Sequence, residues 1–416
     1  MKKTLLIMAA CVVSIAMFAT DLTGKRIYIN PGHGSWGPND RPNATIPYPN
    51  LASTGMPDTC GFYETNTNLW KCLELRDRLE AAGAFVMMSH TQGGPWPYEK
   101  VDGEYPDYTW EAYQQLPDFE KYNRPLLEIA DEAEANNMDY FISVHSNAAS
   151  EGSTANYLAY FYRGNNAGEH VVPGAIEMCK ASWYHAFECR SMDGLEPTNY
   201  DTRDPETSKH ILADIDFYHS SYDATLPSSG KTYTGYLGVL HHGVPGFLVE
   251  GYFHTYQPAR HRALNPDYCK QEGIRYYRGI VDYFKADTEA TGYILGTVKD
   301  EHEPLVHEMY KYAPNTNDQY KPLNGAVVTL STEAGEVLAT YTVDQNYNGL
   351  FYFPNLAPGT YKYSGLDVTV ASSCAFGFHL DLGYTEARVA NYSSTSNGFA
   401  RHYVWARHHV FCFDKE

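Results

Sequence analysis

The chain has 416 residues, 43% of them hydrophobic and 19% charged, a balance that excludes wholesale disorder and leaves room for two or three domains. A formal charge of −19 excludes a groove that tracks nucleic-acid phosphates, which needs clustered Lys and Arg. The 36 tyrosines supply amphipathic rings suited to core packing and to stacking on sugars or peptides.

Residues 1 to 20 read as an export signal: Lys2 and Lys3 are the basic start, Leu5 to Phe18 the apolar stretch, and Ala19 or Thr20 a small residue near the cut. The stretch is shorter than the ~20 apolar residues of a membrane span. Met8-Ala9-Ala10-Cys11 resembles a lipoprotein box weakly, but apolar residues continue past it to Phe18. An exported protein, periplasmic or extracellular, with no transmembrane helix after signal removal is the expectation. With Cys11 in the signal, seven of the eight cysteines remain, an odd number. The loops Cys60 to Cys72 and Cys179 to Cys189 are disulfide candidates, and no C-x-x-C spacing suggests a zinc ribbon.

Lys25 to Asn30 predicts a buried strand feeding a loop at Pro31-Gly32 that carries His33. Residues 34 to 63, rich in Pro, Asn and Gly, read as an insertion. Helix resumes at Glu64, with apolar spacing at Leu69, Cys72, Leu73, Leu75 and Leu79 and a stop at Gly83. A strand over Ala84 to Ser89, a helix over Tyr122 to Asn137 and a strand over Tyr140 to Val144 follow, the last ending at His145. Strands alternating with helices predict an α/β fold, with a mostly parallel sheet flanked by helices. Residues 146 to 235 carry little pattern beyond a helix over Gly174 to Phe187. Strands at Tyr236 to Leu240 and Gly246 to Val249 come next, the second ending at Glu250, and a helix over Tyr268 to Ala286 closes the region.

From Gly292 the texture becomes all-β: short runs such as GAVVTLST and GLFYFPNL separated by turn residues. The expected organisation is a signal over 1–20, a catalytic domain over 21–287 that folds alone, and a β-sandwich domain over 288–416. The stretch after Gly365 has no clean pattern.

His33, Glu64, His145 and Glu250 all stand at strand ends or a helix start, where binding sites of open α/β sheets gather. Two imidazoles and a carboxylate suit Zn²⁺, which accepts N and O ligands and leaves a position for a water whose pKa falls to ~7. Glu250 closes a buried apolar strand, an uncommon place for a carboxylate without a purpose. The adjacent pairs His241-His242 and His408-His409 read as surface residues, because neighbours on a strand point to opposite faces.

The segments Ile29-Asn30-Pro31-Gly32-His33-Gly34, Glu64 to Leu69, Ile142-Ser143-Val144-His145-Ser146-Asn147-Ala148 and Phe247 to Phe253 resemble, in order, the zinc-dependent N-acetylmuramoyl-L-alanine amidases. That resemblance implies His33, Glu64 and His145 as zinc ligands and Glu250 as the carboxylate that works on water and the leaving amine. It also implies peptidoglycan or muropeptides as substrate. Three departures stand out: thirty residues lie between His33 and Glu64, Ser89-His90-Thr91 replaces the family's Thr-Arg, with Arg124 the counterpart of a later Arg, and residues 149 to 235 exceed the family core as a second insertion. The C-terminal runs, among them Pro322 to Val328 and Leu356 to Tyr361, resemble a transthyretin-like, carboxypeptidase-regulatory or Cna-B-type sandwich. A zinc peptidase acting on stem peptides and a metal-free wall-binding scaffold are the rival functions.

Overall fold

The computed structural model describes residues 20–34, 45–46, 62, 64–91, 124–150, 152–186, 210–286, 292–314, 316–332, 334–356, 359–364 and 385–389. The signal, most of the first insertion and His408-His409 lie outside them.

Six strands make the central sheet: β1 Arg26–Pro31, β2 Phe85–Met88, β3 Tyr140–Asn147, β4 Ala159–Tyr162, β5 Ile211–Ala213 and β8 Gly246–Phe253, in the order β2-β1-β3-β8-β4-β5. The four strands β2, β1, β3 and β8 run parallel, β4 is antiparallel to β8, and β5 is parallel to β4. The inner strands are apolar runs because both faces are covered. Ile27, Ile29, Ile142, Val144, Phe247 and Val249 turn to one core cluster, completed by residues of α1 Glu64–Ala81, α3 Ala175–Ala186 and α6 Pro266–Phe284. Tyr28, Phe141, Leu248 and Phe161 turn the other way, onto α2 Leu126–Ala135 and the 3-10 turn Gly238–Leu240.

Helix α6 starts at a true cap: the Asn265 side chain accepts from the amides of Asp267 and Tyr268, and Pro266 takes the first position, where its missing N–H costs nothing. Its Gly273 lets it pack closely on α1, since a Cβ there would lie 2.4 Å from the Lys71 carbonyl oxygen. A buried ion cluster sits beside that crossing: Lys71 Nζ is 2.6 Å from Glu272, Arg275 is 3.0 Å from the same carboxylate, and Arg275 donates to Tyr252.

Between the sheet and α6 the chain adds α4 Asp214–Tyr218, the hairpin of β6 Tyr222–Thr225 and β7 Thr232–Gly235, and α5 Gln257–Ala263. Several expectations are corrected here. Tyr236 to Leu240 is a loop and 3-10 turn. His241 and His242 are buried, packed on Tyr222 and Phe141, rather than lying at the surface. Cys72 and Cys179 are free buried thiols, and their candidate partners Cys60 and Cys189 lie outside the described residues.

The C-terminal strands form small sheets: β9 Gly292–Thr297 with β14 Leu350–Leu356, β10 Lys299–Pro304 with β11 Tyr320–Pro322, and a four-stranded sheet of β12 Val327–Thr332, β13 Val337–Thr342, β15 Gly359–Ser364 and β16 Thr385–Val389. Ile294, Phe351 and Phe353 share a cluster with Val328 and Leu330 of the larger sheet. This part is not loosely tethered. Leu295, Leu350 and Tyr352 belong to the main core. Fully buried Asp318 accepts from Arg262 Nη1 at 2.7 Å, Lys299 Nζ at 2.9 Å and Tyr256 Oη at 2.9 Å. Burial would raise the Asp318 carboxyl, but the Arg262 and Lys299 charges hold it well below the usual range. Separation near residue 287 would therefore expose apolar surface and leave buried charge unpaired.

Candidate metal centre and active site

His33 stands on the turn after β1 with φ of 66°, and Gly34 follows at 68°, so the chain reverses through left-handed backbone that is costly for a histidine. Gly32 is required: a Cβ there would lie 2.4 Å from the His145 ring. The two imidazoles accordingly meet edge to face, with centroids 4.8 Å apart.

Glu64 opens α1 and is buried between them. Its Oε2 is 3.2 Å from His33 Nε2 and its Oε1 3.4 Å from His145 Nδ1. The Ser146 amide donates to Oε1 at 2.8 Å and the Asn68 side chain at 3.2 Å, which fixes the carboxylate's rotation. Burial would raise the Glu64 carboxyl, but the charge of His33 and the hydrogen bonds from His145 and His33 hold it well below its usual range. One ligand atom each from His33, Glu64 and His145 lie within 4.8 Å of one another, a grouping able to hold a metal ion. Ligands of one tetrahedral ion at ~2.1 Å stand roughly 3.4 Å apart, close to the 3.2 Å and 3.4 Å at which the two carboxylate oxygens face the two imidazoles.

Glu250 is the register partner of His145 across β3 and β8 and is half-buried. Burial, then the charge of Glu64, raises its carboxyl well above the usual range, while His33 and Lys71 pull it down. Lys71 is the cation beneath the site: a Cβ on Gly251 would lie 3.4 Å from its Nζ.

Three further residues escaped the sequence reading. His254 lies just past β8, with Nδ1 2.9 Å from Ser146 Oγ and 3.8 Å from Glu64, and its ring stacks on Phe62. Period-2 spacing from Glu250 through Tyr252 to His254 was the available signal. Lys71 reads in sequence as one more polar residue of an amphipathic helix, and Tyr218 lies in the insertion. Arg124 precedes α2 and pairs with Glu132 at 2.6 Å rather than with the ligands. Ser89 Oγ donates to Asn30, which donates to Ser143, a buried chain that ties β2, β1 and β3 below the histidines.

No curated protein matches the sequence. Similar solved structures include the N-acetylmuramoyl-L-alanine amidase of Clostridium difficile 630, at 17% identity over 63% of this chain and 97% of that one, with a TM-score of 0.38. Others are AmiC2 of Nostoc punctiforme, at 14% identity over 63% and 99% with a TM-score of 0.38, and Ami1 of Mycobacterium smegmatis, at 13% over 64% and 99% with a TM-score of 0.39. The family model described as N-acetylmuramoyl-L-alanine amidase matches residues 27–282, more than half of the chain, and takes in His33, Glu64, His145 and Glu250. With that match, this protein belongs to the N-acetylmuramoyl-L-alanine amidase family.

Proposed function

We infer that the chain hydrolyses the amide joining N-acetylmuramic acid to L-alanine in peptidoglycan, with a zinc ion held by His33, Glu64 and His145 and with Glu250 as the proton-transfer residue. The observation that carries this reading is the convergence of three ligand atoms of the right chemistry within 4.8 Å, beside a carboxylate on the neighbouring strand. When bound, the ion supplies Lewis-acid polarisation of the carbonyl and an activated water. The residues of the chain do the rest. Glu64 is held by the Ser146 amide and Asn68, so the ligand set is fixed before substrate arrives. Glu250 takes a proton as the water oxygen bonds to the carbonyl carbon and returns it to the departing amine as the C–N bond breaks. The nearby Lys71 ammonium, kept charged by Glu272, favours the anionic form of Glu250 that accepts the first proton and that the second transfer restores.

Supporting an exported role are the signal-like first twenty residues and a wall substrate; among the described residues no helix is long and apolar enough to cross a membrane. A boundary near residue 287 and a sandwich after it are supported by the change to short strands and the shared cluster of two small sheets. The test of the function is product analysis of digested wall: free glycan strands with whole stem peptides support the amidase, and cuts between amino acids support a peptidase.

A further inference from the structure

One border of the site carries a strip of exposed rings that the chemistry above does not use. Among the described residues eight large hydrophobics are exposed, and four of them, Leu126, Phe217, Tyr222 and Tyr236, gather on one face from α2, α4, β6 and the turn after β7. The other four, Phe85, Val306 and the neighbours Val337 and Leu338, lie on other elements. Tyr236 stacks on Tyr218 with centroids 4.0 Å apart and planes 15° apart, and Phe217 meets both Tyr218 and Phe161 at 4.9 Å. Tyr222 and Leu126 converge over Gly238, where a Cβ would lie 2.6 Å from the Tyr222 hydroxyl and 3.3 Å from the Leu126 side chain.

The strip begins at the catalytic carboxylate. Leu248 and Glu250, two apart on β8, share a face. Their partners on β4 are Phe161 and Ala159, and the Tyr218 ring lies 5.6 Å from Phe161. Burial, then the charge of Glu250, pushes the Tyr218 phenol up to about 12, which agrees with that closeness. From Glu250 the surface therefore runs through Tyr218 to Phe217, which is 47% exposed, and Tyr236, which is 37% exposed.

An amide that links glycan to stem peptide has a neutral sugar on one side and a carboxylate-bearing peptide on the other. The charges along the strip choose between them. Asp216 and Asp223 border it, and the nearby cations Lys231 and Arg124 are engaged by Glu134 and Glu132. Such a border repels an acidic peptide. Flat rings with polar tips suit pyranoses, which offer C–H faces to a ring and hydroxyls to its edge. We propose that Phe217 and Tyr236, backed by Tyr218, form a glycan subsite that stacks sugar rings of the peptidoglycan strand on the acyl side of the scissile amide. This rests on the amidase reading and adds to it a specificity built from the second insertion and the turn that follows it.

The test uses the full mature chain and a peptide-free probe, a β-1,4-linked oligomer of N-acetylglucosamine, followed by calorimetry or NMR titration. Phe217→Ala/Tyr236→Ala should bind the oligomer about tenfold more weakly than the unmodified protein, while Phe217→Tyr/Tyr236→Phe, which keeps both rings, should stay within about twofold. Equal binding by the alanine variant, no binding by the unmodified protein, or equal loss in the ring-keeping variant each overturns the subsite. So does an alanine variant that loses affinity for a free stem peptide instead. Because the titration needs no turnover, the two readings separate: oligomer binding without amide cleavage keeps the subsite and removes the amidase, and cleavage without oligomer binding does the reverse.

Discussion

His145 and Glu250 stand directly opposite one another on the adjacent parallel strands β3 and β8. That single register places an imidazole of the candidate metal centre beside a half-buried carboxylate, and it follows from the apolar residues three and one positions earlier being paired in the same ladder: Ile142 with Phe247 and Val144 with Val249. A slip by one residue would send Glu250 to the face covered by α1, α3 and α6.

The ligand set predicts metal content. Purified mature protein should carry about one zinc per chain, and His33→Ala/His145→Ala should lose most of it by elemental analysis, since a carboxylate alone is a poor zinc site. Stoichiometric zinc in that double variant contradicts the assignment.

Glu250→Gln keeps the shape of the side chain and removes its capacity to carry a proton. Zinc content should be unchanged, while turnover of a soluble muropeptide should fall by ~10² or more. Turnover near that of the unmodified protein would make Glu250 a structural residue.

The anchoring of the C-terminal strands predicts cooperative stability. Asp318→Asn leaves Arg262 and Lys299 buried without a counter-charge and should lower stability by ~3 to 5 kcal/mol in urea titrations. A chain ending near residue 287 should unfold far more readily than the full mature chain, because Leu295, Leu350 and Tyr352 are taken from the main core. A truncated chain as stable as the full one would show that this packing contributes little.

Buried histidines set the acid side of the stability curve. Burial lowers His261 to about 4 and His242 to about 3, against ~6.5 in an unfolded chain. The unfolded chain thus binds protons first, so this contribution is complete above pH ~6.5 and is lost as pH falls toward those lower values, at ~1.4 kcal/mol per pH unit for each histidine. Urea midpoints should drop between pH 7 and pH 5, and His261→Gln should flatten the dependence. A midpoint unchanged over that interval rules the idea out.

The legible parts of this molecule are the local ones. An apolar run that ends at His33, at His145 or at Glu250 announces a buried strand by itself, and the helix after Glu64 shows its own periodicity, so the mostly parallel sheet could be read from the chain. The edge strands β4 and β5 could not, because four and three residues give no period and their pairing depends on distant partners. Tyr236 to Leu240 misled because its apolar residues pack as a 3-10 turn against α2, where burial and not pattern decides. His254 and Asp318 act through partners 108 and 56 residues away, Ser146 and Arg262, and no short motif spans such distances. Phe217, Tyr218 and Tyr222 of the aromatic strip lie in an insertion, with Tyr236 just after it, where the resemblance to the family offered no guide.

The most direct measurement is mass analysis of purified peptidoglycan after digestion. The account predicts glycan strands stripped of peptide together with intact stem peptides bearing a free L-alanine amino terminus, and loss of both products in Glu250→Gln. Peptides shortened between amino acids, with L-alanine still bound to muramic acid, would contradict it.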